Sequence, residues 1–346
     1  MTDRNYSIDF IRTVAILAVV VIHVSTAFLD RTLLFTTQFD ILLLINQFSR
    51  FAVPLFFAIS GYMLAIRYSG SFSKSLFYKK RILRIIPPYL FWIVIYFFIV
   101  FPHPGVSAFS KTFLDSVLTG NASYQLYFIP SIIVLYAFFP YMLLYKKVIF
   151  SKVSLAILSI SMAVLLTYVY YGDLTLPFHT AIRGALYNLL PFIIGIYAAL
   201  NRTKFSQLAV KHTIGIFIAT FMLGMLIFFE TLLLFKSFNE LRFLREQWRI
   251  SVVLYSLFCG LFFKKIYDLF LFKFKHQIFA ISSLSFGVFF IHVAVLKYFL
   301  EYVVDPLNAY NLFGFSLTLV SVIVLSFGII WSLSKIPKIG RIVSAT

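Results

Sequence analysis

Charged residues and cysteine are scarce in this chain, and their scarcity narrows the class of protein. Asp, Glu, Lys and Arg together make up 12% of the 346 residues, about half the share found in a soluble domain. The single cysteine, Cys259, excludes an internal disulfide and a cysteine-rich metal site. No internal repeat is recognisable, and no cleavable signal peptide is expected. A soluble globular domain is therefore excluded.

Long apolar runs take the place of charge. Hydrophobic residues make up 61% and aromatic residues 20% of the sequence, and the mean hydropathy is +0.95. About 17 to 25 apolar residues suffice for a helix to cross the hydrocarbon core of a membrane. We therefore predict an all-α, polytopic membrane bundle that fills residues 1–346 as one domain, with no appended soluble domain. The ten predicted spans are residues 8–29, 40–67, 85–101, 124–145, 153–171, 181–200, 213–235, 250–263, 278–302 and 311–334.

Basic residues fall mostly on one side of these spans. With the N-terminus placed in the cytoplasm, the inner segments hold 20 lysines and arginines and the outer loops hold 6. This bias predicts that both termini are cytoplasmic. Topology and attraction to anionic lipid also account for the net charge of +18, so no nucleic-acid partner is needed. We expect a multi-pass protein of a bacterial cytoplasmic membrane.

The first span carries three ionisable residues, Asp9, Arg12 and His23. At about 100° per residue, the separation of Arg12 from His23 comes within about 20° of three whole turns. The two side chains are therefore expected on one helical face, about 16 Å apart along the axis. An ionisable residue inside a membrane span is costly and most often marks a functional site. The alternative for His23 is a hydrogen-bonded histidine that serves packing.

Two other ionisable side chains are expected at a similar depth. His23 lies about 22 Å and His292 about 21 Å from the cytoplasmic start of their helices. The two histidines can flank one chamber, although His292 can equally be a structural hydrogen-bonding residue. Arg50, roughly 15 Å inward from the outer start of its span, can supply a cation to the same cavity. Asn46 is expected to join helices by hydrogen bonds, and Glu230 to lie near the membrane interface.

A second pattern stands where a basic loop enters the third span, in YKKRILRIIPPYLF. Arg81 and Arg84 project from adjacent positions of one helical face. Paired guanidinium groups suit phosphate oxygens, because each offers a planar fork of donors. The alternative is a topology-setting cluster whose side chains reach lipid headgroups. Pro87 and Pro88 are expected to make the backbone irregular there, and Pro54 to bend the second span.

Five segments occur in order across most of the chain: IDFIRTVAILAVVVIHVS, SRFAVPLFFAISGYML, RILRIIPPYL, YQLYFIPSIIVLYAFFP and SSLSFGVFFIHVAVL. Together they resemble the acyltransferase-3 family of integral-membrane acyltransferases. The resemblance implies transfer of an acyl group, usually acetyl, from cytoplasmic acyl-coenzyme A to a sugar hydroxyl on the other side of the membrane. Acetyl-coenzyme A is then a donor substrate, with no tightly bound cofactor and no metal expected. The implied acceptor is a cell-surface glycan or a lipid-linked sugar.

The resemblance also implies roles for individual residues. His23 corresponds to the family's essential histidine of the first helix, and Arg12 to the basic residue before it. Arg81 and Arg84 correspond to the arginine pair that is implicated in handling the donor. His292 lies in a family-like segment and is a candidate second catalytic or orienting residue.

The fourth span departs from the family at one place. Relatives often have histidine-leucine-tryptophan-phenylalanine where this chain has Gln125, Leu126, Tyr127 and Phe128. Glutamine does not act as an acid or a base, but its amide can orient a sugar or a carbonyl group. Tyr124 and Tyr127 are expected to stack on carbohydrate at the outer mouth of this span.

The implied chemistry assigns further roles. A hydroxyl becomes a good nucleophile when a base removes its proton, and neutral histidine suits that work. His23 is the predicted base, and an acyl-histidine formed at His23 is the open alternative. Arg50 and Tyr127 are candidates for stabilising the oxyanion. A transporter that exports a glycan or an acylated intermediate is a competing interpretation, because intramembrane charges and broken helices are also common in transporters.

Overall fold

The computed structural model of the protein describes residues 5–70, 72–100, 106–172, 179–337 and 339–344. Within these ranges the chain forms helices joined by turns, with no strand. Arg4 and Lys338, two of the inner basic residues, and residue 101, the predicted end of the third span, lie outside the described residues. The helices are α1 (Tyr6–Leu29), α2 (Thr37–Ser49), α3 (Ala52–Tyr68), α4 (Lys74–Val100), α5 (Val106–Thr119), α6 (Phe128–Leu144), α7 (Lys146–Ile149), α8 (Lys152–Tyr171), α9 (Thr180–Tyr187), α10 (Leu189–Leu200), α11 (Arg202–Lys211), α12 (Thr213–Phe238), α13 (Arg242–Arg245), α14 (Ile250–Ile266), α15 (Lys275–Phe299), α16 (Asp305–Leu307), α17 (Leu312–Ser334) and α18 (Ile339–Ser344).

Every predicted span corresponds to helix in the structure. Among the described residues, seven helical stretches are long and apolar enough to cross a membrane, or eight if the bent pair α9 and α10 counts as one span. Helix α6 is apolar but shorter. One stretch, Arg242–Leu307, contains the eighth and ninth predicted spans. The prediction of an all-α polytopic membrane bundle is confirmed.

Helices α14 and α15 lie within that long stretch, and both pack along α1. Tyr6, at the start of α1, lies against His276 at the start of α15, with 6.2 Å between ring centroids. Further along α1, His23 meets His292 of α15, so these two helices run parallel. A straight 66-residue helix would be about 99 Å long. The chain therefore turns back between α14 and α15.

The second predicted span is broken at Arg50 and Phe51, between α2 and α3. A bend is expected near Pro54; the helix is interrupted just before this residue, while Thr37–Tyr68 still forms one continuous apolar stretch. A proline ring crowds the carbonyl group four residues earlier and provides no N–H to bond it. That carbonyl belongs to Arg50, so the helix ends there. One turn before this interruption α2 contacts α1, where Asn46 donates a hydrogen bond to the carbonyl oxygen of Ile22 at 3.2 Å.

The third predicted span begins earlier than the sequence suggested, because α4 already starts at Lys74. The expected irregularity at Pro87 and Pro88 is wrong, since the helix continues through both prolines. Each proline removes the donor to the carbonyl group four residues back. Those carbonyl groups belong to Leu83 and Arg84, which are exposed. Water or lipid headgroups can therefore replace the missing donors.

The bundle has two chemically different ends. The basic end holds Arg84, with Arg12 and Arg81 each within electrostatic range of it. The histidine end holds His23 and His292, about 16 Å further along α1 from Arg12. The assignment of the basic end to the cytoplasm stays a prediction from loop charge.

Candidate active site

Two histidines from separate helices face each other at the histidine end. The ring centroids of His23 and His292 are 5.2 Å apart, with 30° between the ring planes. His292 is completely buried, whereas His23 is half-buried. The ring of Tyr124, a residue with 57% of its surface exposed, lies 4.8 Å from that of His23. The two histidines thus share a depth, as their helical positions predict, and Tyr124 connects them to the surface.

The hydrogen bond of His292 determines which of its nitrogens carries a lone pair. Nδ1 lies 3.0 Å from the carbonyl oxygen of Val288, one turn earlier. A carbonyl oxygen only accepts, so Nδ1 is protonated, and in the neutral imidazole Nε2 then has the lone pair. Nε2 is buried and has no hydrogen-bond partner among the described residues. Buried polar atoms are normally paired, so this nitrogen is an acceptor available to a ligand hydroxyl.

A tight turn between α5 and α6 holds Tyr124 over His23. The turn includes Gly120, whose φ of 81° is unfavourable for residues with a side chain. A Cβ atom at this position would come within 2.6 Å of the Leu126 carbonyl carbon. Glycine is therefore required for the turn that brings the Tyr124 ring beside the imidazole.

Gln125 fastens the same turn to the helix that carries His292. Its side chain is buried, and its Oε1 accepts a hydrogen bond from the Ser123 hydroxyl at 2.5 Å. Its Nε2 donates to the Phe290 carbonyl oxygen at 3.5 Å. The sequence predicted an amide that orients substrate. The structure places this amide between two protein segments, with Tyr124 as the neighbour that reaches the surface.

Arg50 is buried, and all three of its guanidinium nitrogens bond to protein oxygen atoms. Nε donates to Asn46 Oδ1 at 2.9 Å. Nη1 donates to the Arg245 carbonyl oxygen at 2.5 Å, and Nη2 to the Leu244 carbonyl oxygen at 2.7 Å. The predicted cation is therefore present within electrostatic range of His23, but its fork of donors engages the main chain of α13.

Tyr127 lies apart from the histidine pair, in the wall formed with the segment before α14. Its hydroxyl oxygen accepts a hydrogen bond from Gln247 Nε2 at 2.6 Å. Its ring packs edge-on against Trp248, with 5.8 Å between centroids. The two tyrosines that were expected to stack on carbohydrate are thus separated: Tyr124 lies beside His23, and Tyr127 supports the neighbouring segment.

Arg12 lies at the basic end, where it joins two helices. Its Nη1 donates to the Asp9 carboxylate at 3.2 Å and to the Ser282 hydroxyl of α15 at 3.4 Å. The Ser282 hydroxyl in turn donates to Asp9 at 3.3 Å. The structure thus keeps Arg12 and His23 on one helix but at different sites, and it gives Arg12 a role in holding α1 against α15.

The predicted arginine pair belongs to a larger cluster. Arg84 is exposed and lies within electrostatic range of Arg81, Arg12 and Arg67. The Arg81 guanidinium lies 5.7 Å from the centroid of the Tyr68 ring and donates to its hydroxyl at 3.3 Å. Four neighbouring arginines produce a positive potential that attracts polyanions.

Two openings flank the contact between Arg81 and Tyr68. One, of about 220 Å³, is lined in part by Tyr68, Lys74 and Lys146. The other, of about 180 Å³, lies between α4 and α6 and is lined by Arg81, Tyr136 and four isoleucines, among others. Lysine and aromatic side chains line part of the first opening, and the second is mostly apolar. Both openings therefore adjoin the contact between Arg81 and Tyr68 at the basic end.

Arg249 is a second buried cation near the site. The sequence alone did not indicate that this arginine is buried. Its side chain is 1% exposed and forms an ion pair with Glu230 at 3.3 Å. It also donates to Gln47 Oε1 at 2.5 Å and to the Tyr170 hydroxyl at 3.0 Å. The sequence counted Arg249 as an outer-loop charge. One signal for a special role was available in the sequence: Arg249 lies on the predicted outer side of the membrane, where basic residues are few.

A membrane bundle with facing histidines at one end and an arginine cluster at the other has the features of a polytopic membrane enzyme. The sequence model of the acyltransferase-3 family, described as an acyltransferase domain, matches residues 5–335. The chain therefore belongs to this family and is a multi-pass membrane acyltransferase, which favours the enzyme over the transporter interpretation. No curated protein and no solved structure matches the chain significantly.

Proposed function

We propose that the protein is an O-acyltransferase that moves an acyl group, in the first instance acetyl, from acyl-coenzyme A to a hydroxyl of a cell-surface or lipid-linked glycan. The observation that carries the proposal is the pair His23 and His292, 5.2 Å apart, with the Nε2 acceptor of His292 buried between helices. The exposed ring of Tyr124 gives an acceptor access to this pair. The arginine cluster lies at the opposite end, so the phosphates of the donor and the acceptor bind at different places.

In the proposed reaction His23 is the base. It accepts the proton of the acceptor hydroxyl while the hydroxyl oxygen attacks the thioester carbonyl carbon. The C–S bond then breaks, and the coenzyme A thiolate takes up the proton from His23. The products are an O-acyl ester and free coenzyme A. His292 Nε2 accepts a hydrogen bond from a second hydroxyl, and two neighbouring hydroxyls are a feature of sugars rather than of simple alcohols.

The donor is assigned to the basic end. Arg81 and Arg84 offer forked donors to its phosphate groups, and Lys74 and Lys146 line the adjoining opening. The phosphates and the reacting carbonyl group are then at different ends of the bundle. The extended pantetheine arm of the donor bridges this separation, about 16 Å along α1.

Purified protein in lipid nanodiscs, supplied with radiolabelled acetyl-coenzyme A and a panel of glycans, tests the proposal. We expect label in a glycan and release of one thiol for each acyl group transferred. Succinyl-coenzyme A in parallel reactions establishes which acyl group is preferred. Passage of a glycan across proteoliposomes without acylation would support the transporter interpretation. Label on His23 after an acid quench would assign the acyl-histidine route instead of direct transfer.

A further inference from the structure

Asn46 bonds on one side to the helical turn of α1 that carries His23 and on the other side to Arg50. It is fully buried on α2, next to α1. Its Nδ2 donates to the Ile22 carbonyl oxygen at 3.2 Å, to the Ser25 hydroxyl at 2.8 Å and to the Thr26 hydroxyl at 3.0 Å. The Ile22 carbonyl group belongs to the peptide bond that leads into His23. Asn46 therefore bonds directly to the peptide group of this histidine.

The other end of the same amide faces α13. Asn46 Oδ1 accepts hydrogen bonds from Arg50 Nε at 2.9 Å and from Gln47 Nε2 at 3.1 Å. Arg50 and Gln47 both donate onward to the Leu244 carbonyl oxygen, at 2.7 and 3.2 Å. Because donors and acceptor are used on opposite sides, the amide has one orientation. Through Arg50 and Gln47, Asn46 thus connects the His23 turn to α13.

Charged groups extend this connection to α12. Gln47 Oε1 accepts hydrogen bonds from Arg249 at 2.5 Å and from Thr231 at 3.1 Å. Arg249 pairs with Glu230, and the Ser251 hydroxyl donates to the same carboxylate at 2.7 Å. Each of these groups holds the next in place through a direct bond. Asn46 is the member that touches α1 at His23.

We propose that Asn46 is a positioning residue that sets the place of the His23 imidazole opposite His292. This inference rests on the proposed function for its catalytic readout. Helix packing alone does not require an amide, because an apolar side chain would fill the same buried space without a desolvation cost. What requires asparagine is the combination of donors toward α1 and an acceptor toward Arg50.

Asn46→Asp distinguishes the contribution of the donors from that of the acceptor, because aspartate keeps the acceptor for Arg50 and loses the donors to α1. The matched control is Asn188→Asp, which changes a second buried asparagine whose Nδ2 bonds to the Gly184 carbonyl oxygen within its own bent span, at 2.9 Å. We expect Asn46→Asp to lower kcat by about 10- to 100-fold with little change in the KM of the donor, since misplaced catalytic groups slow the chemical step. The control is expected to retain both parameters.

A second readout does not depend on turnover. Diethyl pyrocarbonate modifies histidine, and peptide mass spectrometry gives the rate at His23 relative to the exposed His212 of the same molecule. This ratio is expected to change in Asn46→Asp and to stay constant in Asn188→Asp. Thr26→Val removes one acceptor of the same amide, so a smaller change in both readouts is expected. It takes the place of Asn46→Asp if that variant does not fold.

The outcomes separate this inference from the proposed function. A modification ratio equal to that of wild type overturns the positioning role of Asn46. So does a kcat equal to that of the Asn188→Asp control. Wild-type protein that acylates no acceptor contradicts the proposed function instead, and the modification ratio still decides whether Asn46 sets the position of His23.

Discussion

The two ends of the bundle are built in opposite ways. At the histidine end the cations Arg50 and Arg249 are buried and bonded to main-chain and side-chain oxygen atoms. At the basic end Arg84 is exposed, Arg81 lines an opening of about 180 Å³, and Tyr68, which contacts Arg81, lines one of about 220 Å³. A site whose side chains are held by hydrogen bonds keeps reacting groups in fixed geometry. An open cationic surface instead suits the capture and release of a polyanion. The contrast is the one that the proposed function requires, with chemistry at the histidine end and donor capture at the basic end.

Removal of the imidazole at the histidine end is expected to have the largest effect. His23→Ala should lower the rate of acyl transfer by about 100- to 10,000-fold, because proton transfer by a positioned base contributes that much. The matched control, His212→Ala, changes an exposed histidine. Initial rates at saturating substrates provide the comparison. A His23→Ala rate close to that of His212→Ala would remove His23 from the reaction.

The hydrogen-bonded network around the histidine end includes the carboxylate of Glu230, and removal of this group is expected to destabilise the protein. Glu230→Ala leaves the 1% exposed Arg249 without its counter-ion, and loss of one partner of a buried pair costs about 3 to 5 kcal/mol. Glu240→Ala removes a 46% exposed partner of Arg242 and is expected to cost at most about 1 kcal/mol. Thermal unfolding of both variants in the same detergent measures the difference. Equal midpoints would show that the buried pair of Arg249 and Glu230 stabilises the protein no more than the exposed pair of Arg242 and Glu240.

The open end can be weakened without touching the chemistry. Arg81→Ala combined with Arg84→Ala is expected to raise the KM of acyl-coenzyme A by about 10- to 100-fold, given about 1.5 to 3 kcal/mol for hydrogen bonds to charged groups. At saturating donor, kcat should stay near wild type. Lys79→Ala combined with Lys80→Ala removes the same charge from exposed positions of the same helix. If both double variants raise KM equally, the effect is one of general surface charge.

The smallest expected effect concerns access to the histidine end. Tyr124→Ala should raise the KM of the acceptor about 2- to 10-fold, because an aromatic contact contributes about 0.5 to 1.5 kcal/mol beyond burial. Tyr124→Phe keeps the ring next to His23 and should resemble wild type. Acceptor titrations at fixed donor measure both variants. A defect in Tyr124→Phe as large as that in Tyr124→Ala would assign the role to the hydroxyl instead.

What could be predicted from the sequence is what depends on helix geometry alone. The common depth of His23 and His292 follows from the rise per residue, and the ring contact agrees with it. The partners of buried side chains could not be predicted, because they come from distant parts of the chain. Arg50 lies within electrostatic range of His23, as its position predicts, but its bonds go to carbonyl groups of α13.

The start of α4 shows a second limit. Hydropathy placed this span at residue 85, because the preceding lysines and arginines reduce the local mean. Lysine and arginine are nevertheless good helix formers, so α4 extends back to Lys74. The same limit applies to Asn46. Its apolar neighbourhood predicts only a helix-joining bond, and the bond to the His23 peptide group becomes visible once α1 and α2 are packed.

The separation of donor capture from chemistry is tested most directly by sidedness. In proteoliposomes with a known protein orientation, labelled acetyl-coenzyme A is supplied on one side and an acceptor glycan on the other. We predict acylated glycan when the donor is on the side of Arg81 and the acceptor is on the side of Tyr124, and none with the two substrates exchanged. Transfer that takes place only with both substrates on the same side would contradict the account.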